Sequence, residues 1–378
     1  MQESVEDNRD NPPNNGCLLQ IGDAEEGEGD YVQLKIEQFT IQGGGAVNTQ
    51  SENKKPSNAI ASTNSIEADK SENTRHIDET ALMELMKEKM EPNEHAELNR
   101  KIQTLARQMQ MESEAAPLRH TKDHIFGANV QPENLFEVHA GDFWSMFETR
   151  NCMRAHLALA DEIHDEIAVV YDTKAAWEVV GWHYQEMLRL CSGDNLGLRY
   201  RFPFLLMQLN RDDDAFCFLR YWMQGDENYV RKRELHKKSS PGDWIYGHEK
   251  VARYADIFNV CPNVKCEYVC LALLVALACI KMRTIDESPD RKVELGKQLD
   301  RLLHLIKERN PTMLPALLNP TPLTSQPKPE YMTQGSPAEC YTIVEDASGI
   351  WSDIPGAVER LQEQFGVLAT YIVAAHSE

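Results

Sequence analysis

Cysteine is sparse and scattered in this 378-residue chain: Cys17, Cys152, Cys191, Cys217, Cys261, Cys266, Cys270, Cys279 and Cys340, with no Cys-x-x-Cys anywhere. That usage excludes a disulfide scaffold and supplies none of the closely spaced thiolates a zinc finger needs. Cys266 and Cys270 share a helix face, but they border the most apolar segment of the chain, where free cysteine behaves as a small hydrophobe. Basic residues are also in deficit. Against 60 Asp and Glu stand 39 Lys and Arg, a net charge of −21. Neutralising phosphates requires a basic footprint, so no nucleic-acid partner is expected. The longest apolar run, Tyr268 to Ile280, is shorter than the roughly 20 residues a bilayer requires, so no membrane span is expected. The first residues have neither a basic n-region nor an apolar h-region, and read as no secretory signal. Glycine builds no phosphate cradle and no Gly-x-Ser-x-Gly elbow for a hydrolase nucleophile. These absences leave an acidic, soluble, intracellular chain, cytoplasmic or nuclear, with no cofactor, metal or small-molecule ligand indicated.

What is present divides the chain near residue 120. Nine acidic side chains and one basic one, Arg9, fall in the first thirty residues. Such a stretch buries too little apolar surface to offset a backbone ordering cost of about 1–2 kcal/mol per residue. Residues 1–75 are therefore expected to form a disordered acidic arm. One island interrupts it: Val32, Leu34 and Ile36 alternate with polar neighbours, the period of a half-buried strand. An isolated strand is unstable in water, so this one either pairs with a partner or the body, or stays unfolded. Residues 76–119 read as a helical linker, with Leu82, Leu85, Met86 and Met90 on one face and a break at Pro92.

Residues 120–365 carry helical spacing almost throughout and form the expected body, followed by a tail over 366–378. Met153, Leu157, Leu159, Ala160 and Ile163 make one stripe; Ala176, Trp177, Val180, Tyr184, Met187 and Leu188 make another. Asp194 or Asn195 can cap the next helix, and Pro203 should kink it. Asp212, Asp213 and Asp214 suit the electropositive start of a further helix. The run from Tyr268 to Ile280 is apolar nearly all round, which marks a central helix. Ser288-Pro289 opens a helix with the stripe Leu295, Leu299, Leu302, Leu303 and Ile306. Six prolines from Pro311 to Pro329 favour an extended strap, and Ser336-Pro-Ala-Glu339 has capping-box spacing. The body is expected to be all-α.

Helix pairs joined by short polar turns suggest an irregular α-solenoid. The stretch from Trp177 to Trp222 looks like a degenerate tetratricopeptide pattern, with Ala215 as the small residue of a close helix crossing and Pro203 where glycine is preferred. Three blocks, "GDFWSMFETRNCMRAHLALADEI", "YQEMLRLCSGDNLGLRYRFPFLLMQLNRDDDAFCFLRYW" and "MLPALLNPTPLTSQPKPEYMTQGSPAECY", resemble successive blocks of a family of uncharacterised fungal helical proteins. Some of its members carry a MYND-type zinc finger, which the cysteine spacing here does not provide. The resemblance implies a tetratricopeptide-like helical fold and little about activity.

A non-catalytic interaction or scaffold protein is the leading expectation, binding a protein or peptide in a groove of stacked helices around residues 151–222. Arg199, Arg201, Arg211, Arg220, Tyr221 and Trp222 are the expected contacts, since Arg, Tyr and Trp dominate binding hot spots. The alternative is a metal-dependent or hydrolytic enzyme on a helical scaffold. It would need His156, His164 and their acidic neighbours Asp161, Glu162, Asp165 and Glu166 to converge, against the expectation of a solvated acidic face. His120-x-x-x-His124 offers two ligand-type residues one turn apart, too few for a site alone. The basic run Arg231-Lys-Arg233 followed by His236-Lys-Lys238 reads as a flexible loop, or as an import signal in a nuclear regulatory adaptor.

Overall fold

The structure, a computed structural model, describes residues 77–123, 134–224, 234–247, 252–266, 269–329 and 332–365. The acidic arm with its strand island, His124, the basic run Arg231 to Arg233 and the tail lie outside the described residues. Among those described, helices dominate and no strand occurs; one isolated antiparallel bridge joins Asp142 to Cys191. The all-α expectation therefore holds for the described residues.

The first helix, α1 (Glu79–Met86), starts where the Asp78 carboxylate accepts the Ala81 amide at 2.7 Å. It buries Leu82, Met83 and Met86. Pro92 opens α2 (Pro92–Asp123), since a first-turn residue needs no amide hydrogen bond. These two helices, expected as a linker ahead of the body, pack onto it. Leu82, Met86, Leu98 and Ile102 belong to the same buried cluster as the rest of the core. Their stripes are narrow, and sequence patterning alone could not say what they would cover.

The next helix, α3 (Arg150–Ile163), lies against α2 and passes into a π-turn, His164–Ala168, before ending at Tyr171. Thr173 caps α4 (Lys174–Leu190), which packs on α3. Within α4, Arg189 is fully buried against Glu186 and reaches the Ser239 and Phe136 carbonyls, tying two loop segments to the helix.

Pro203 behaves differently from the expectation. A 3₁₀ turn, Leu198–Tyr200, intervenes, and α5 (Phe202–Gln208) begins beside Pro203 instead of being kinked by it. Proline at the first turn forgoes a hydrogen bond that the helix start lacks anyway. The three aspartates do open α6 (Asp212–Met223). The apolar run becomes α7 (Leu271–Glu287), buried from Leu271 to Met282 and in contact with α5, α6, α8 and α10. Residues of this kind contribute about 1.5–3 kcal/mol each when fully buried. The Ser288 hydroxyl makes no capping bond; a 3₁₀ turn, Pro289–Arg291, leads into α8 (Lys292–Arg309).

The proline-rich stretch is also less extended than expected. It holds α9 (Met313–Leu318) and a helical turn, Thr321–Thr324, because Pro315 and Pro322 both sit in first turns where proline is tolerated. Ser336 caps α10 (Pro337–Asp353) at Glu339, and the Glu339 carboxylate returns to the Gly335 amide at 2.8 Å and Asn310 at 3.2 Å. Pro355 then separates α10 from α11 (Ala357–Phe365).

Candidate functional site

One side of α6 carries an aromatic cluster assembled from three separated segments. Phe218 and Tyr221 come from α6, Phe202 from α5, and Trp244 and Tyr246 from a loop. Ring centroids lie 4.7 Å apart for Phe218 and Tyr246, 4.9 Å for Tyr221 and Tyr246, 5.0 Å for Trp244 and Tyr246, and 5.2 Å for Phe202 and Phe218. Most meet edge-to-face, which places the positive edge of one ring on the negative face of the next. Trp222 joins at 5.5 Å from Tyr221. Trp222 and Trp244 are both half-buried. A guanidinium covers each: Arg199 lies 5.0 Å from the Trp222 ring and Arg211 5.3 Å from the Trp244 ring. Such contacts contribute about 0.5–2 kcal/mol, more as water is excluded.

His236 anchors this cluster from below. Its Nδ1 lies 2.8 Å from the Arg189 carbonyl and its Nε2 lies 3.1 Å from the Tyr221 hydroxyl. A carbonyl only accepts, so Nδ1 carries the proton, Nε2 is the acceptor, and Tyr221 donates. Burial raises the Tyr221 phenol well above its ordinary range, which keeps that donor proton in place. His236 is 1% exposed, unlike the flexible basic loop expected there, while its described neighbours Lys237 and Lys238 face solvent.

Arg211 also lines an open cleft of about 640 Å³. Its walls are the start of α6, the end of α7 with Arg283, Asp286 and Glu287, Arg253 of a 3₁₀ turn, and Asp353 to Pro355 between α10 and α11. All three arginines have partners. Arg211 Nε donates to Asp214 at 2.7 Å, Arg283 Nη1 meets Asp212 at 2.9 Å, and Arg253 spans Asp213 at 3.2 Å and Glu287 at 2.9 Å. Six carboxylates against three guanidiniums leave the cleft acidic, and Asp286 and Asp353 are exposed within it. The C-terminal ends of α7 and α10 add negative dipole at the same place.

Of the six residues expected at a binding surface, four enter this assembly: Arg199, Arg211, Tyr221 and Trp222. Tyr221 is a buried floor. Arg220 stands on α6 with its carbonyl facing the Cys261 thiol at 3.9 Å. Arg201 lies apart, inside a charge network. It bonds Asp161 at 2.7 Å and His164 Nδ1 at 2.9 Å, and lies 3.7 Å from Asp346. Its neighbouring carboxylates and Tyr184 raise its pKa despite burial. The residues sequence reasoning missed are Trp244, Tyr246, Arg253, Arg283, Glu287 and Asp353. The Trp244-Ile-Tyr246 run within a mostly polar connection was the available signal.

His156 and His164 do not share a cavity, and they are not on a solvated face. His164 is 8% exposed, in the Arg201 network; His156 is 6% exposed and faces His183. Asp161 and Glu162 are met by cations from other segments, Arg201 on Asp161 at 2.7 Å and Lys101 on Glu162 at 2.6 Å, whereas Asp165 and Glu166 are exposed, as expected of a solvated acidic face. Among the described residues no group of three or more His, Cys, Asp or Glu is arranged to hold a metal ion, and no helix is long and apolar enough to cross a membrane.

No protein-family model matches the chain, and no curated protein or solved structure matches it either. What the fold and the site define, among the described residues, is a helical protein with an arginine-capped aromatic patch beside an acidic cleft.

Proposed function

We propose that this protein is a non-catalytic binding module with a tetratricopeptide-like helical body, receiving a peptide segment of a partner protein. The aromatic patch takes the partner's apolar side chains, and the acidic cleft takes a Lys or Arg from the same segment. The observation that carries this reading is Arg211, which covers Trp244 and lines the cleft, so that patch and cleft are one continuous surface. Half-buried Trp and Arg side chains are the types that dominate binding energies once water is excluded. The helix hairpins α3/α4 and α5/α6 support the tetratricopeptide-like description, and the kinship with fungal helical proteins belongs to the same proposal.

The test is a peptide array in which a Lys or Arg is placed at varied spacing from an aromatic residue, probed with the intact chain. The expected result is selection of cationic–aromatic peptides, with binding weakened at least tenfold by Trp222→Ala and by Asp286→Asn/Asp353→Asn, and by raised salt. Far-UV circular dichroism confirms that each variant is folded. Equal binding by the parent and both variants overturns the reading.

A further inference from the structure

Two short turns ahead of α3 hold a second set of rings and guanidiniums, made of other residues than the patch and cleft. The 3₁₀ turns Phe143–Ser145 and Phe147–Thr149 are joined by the extended residue Met146. Phe143 goes inward and is fully buried, its ring centroid 5.0 Å from that of Phe136. Trp144 is half-buried, and Phe147 is 77% exposed. A benzyl side chain so far out in water forgoes the stabilisation that its burial would bring.

The turns are not free to relax and bury it. The Thr149 hydroxyl donates to the Phe143 carbonyl and lies 3.0 Å from the Met146 carbonyl. The Ser145 hydroxyl donates to the Asp142 carbonyl at 2.6 Å, and Arg150 Nε donates to the Trp144 carbonyl at 3.0 Å. Turning Phe147 inward would break this set of bonds. The face is therefore formed in advance, so little ordering is needed when a guest arrives.

The same geometry lays cations on the rings. The Arg150 guanidinium lies 4.2 Å from the Phe147 ring centroid and 5.5 Å from that of Trp144, and the Arg154 guanidinium lies 5.5 Å from Trp144. Arg150 and Arg154 are one turn apart on α3. Elsewhere on this acidic chain arginines hold carboxylates, as Arg189, Arg201, Arg211 and Arg253 do. Among the described residues Arg150 and Arg154 form no ion pair; Arg154 reaches the Asn151 side-chain oxygen at 3.3 Å. Asp142 and Glu148, beside the turns, are half-buried and have partners of their own.

Guanidinium forks resting on ring faces present their remaining N–H groups edge-on, the approach that suits a carboxylate. Side chains four apart on a helix stand about 5–6 Å from each other at Cβ. Alternate side chains of an extended strand stand about 6.6 Å apart. Two acids separated by one residue therefore match the two arginines. A nucleic acid suits the face less well, because its affinity grows with the number of phosphates neutralised and two cations neutralise few.

We infer that this face is a docking site for an acidic segment of a partner protein, in which two Asp or Glu residues one position apart meet Arg150 and Arg154 and a nearby aliphatic side chain covers Phe147. Its guest has the opposite charge from that of the acidic cleft, so the two sites stand or fall separately.

Fluorescence anisotropy of the labelled, end-blocked peptide Gly-Leu-Ser-Glu-Ser-Glu-Gly with the full chain tests the site, with Gly-Leu-Ser-Gln-Ser-Gln-Gly as its uncharged counterpart. The expected result is binding of the Glu peptide at least about tenfold tighter than the Gln peptide, and a loss of about tenfold or more in Arg150→Gln/Arg154→Gln. Phe147→Ser should weaken both peptides by a similar factor, and added salt should weaken the Glu peptide alone. Equal affinity for the two peptides overturns the inference, as does undiminished binding of the Glu peptide in the double variant. Preferential binding of a labelled oligothymidylate overturns it too. Should far-UV circular dichroism show the double variant unfolded, Phe147→Ser and the comparison of the two peptides on the parent chain decide the matter.

Discussion

Arg189 and Glu186, one turn apart on α4, meet in a two-pronged contact away from water: Nε to Oε2 at 2.8 Å and Nη2 to Oε1 at 2.6 Å. The pair is also a joint. The remaining donors of Arg189 reach the Ser239 and Phe136 carbonyls, and Glu186 accepts the Gly242 amide at 3.1 Å. Arg189→Met leaves a buried carboxylate uncompensated and should cost about 3–5 kcal/mol. Glu186→Leu/Arg189→Met should cost less than the single change, because no charge is then stranded. Urea unfolding of both variants measures the difference.

Gly141 has φ +89°, and a Cβ there would lie 2.8 Å from the His236 Cβ. Its carbonyl accepts both the amide and the hydroxyl of Ser192. The backbone cannot shift away without losing those bonds. Gly141→Ala should therefore destabilise the chain by about 1–3 kcal/mol, read as a lowered midpoint in thermal unfolding. The near-UV dichroism of the aromatic patch should change with it, since His236 supports Tyr221.

Asp194 is buried, and desolvation lifts its carboxyl to about 6, although Arg199 and the backbone amides of Arg199 and Leu198 pull the other way. Between about pH 4 and 6 the folded chain holds a proton there that the unfolded chain has released. Stability from this group therefore falls as pH rises through that window, by about 3 kcal/mol in all. The fall in unfolding free energy from pH 4 to pH 7 should be larger in the parent than in Asp194→Asn by about that amount.

Lys281 lies fully buried in α7 and donates to the carbonyls of Arg253 at 2.7 Å and Ala255 at 2.5 Å. Burial draws its ammonium down to about 8. From about pH 8 to 10.5 the unfolded chain binds the extra proton, so stability from this group rises with pH, by about 3 kcal/mol at most. Lys281→Met should remove that rise from the pH dependence of unfolding above pH 8. It should also loosen the turn that carries Arg253 to the cleft, seen as faster exchange of the Ala255 and Asp256 amides.

Local order was readable wherever it depended on neighbours in the chain. The run of apolar residues around Leu277 marked a helix that must be enclosed, and α7 is enclosed. Ser336 and Glu339 marked a helix start, and both make capping contacts. Proline was misread twice, at Pro203 and across Pro311 to Pro329. Its effect depends on whether it falls in a first turn or an interior one, and that depends on where the preceding residues end their own element.

The partners of charged and aromatic side chains had no such local signature. Arg201 looks like a surface contact in sequence, yet it serves Asp161 and Asp346 from distant helices. Trp244 and Tyr246 lie in a polar connection and become part of the aromatic patch only because that loop folds back over α6. Helical periodicity is written within four residues, so the all-α class follows from the chain alone. Ion pairs, stacked rings and the cleft arise between segments tens of residues apart. Their formation depends on how the helices cross, and that is settled by core packing and not by any pattern along the chain.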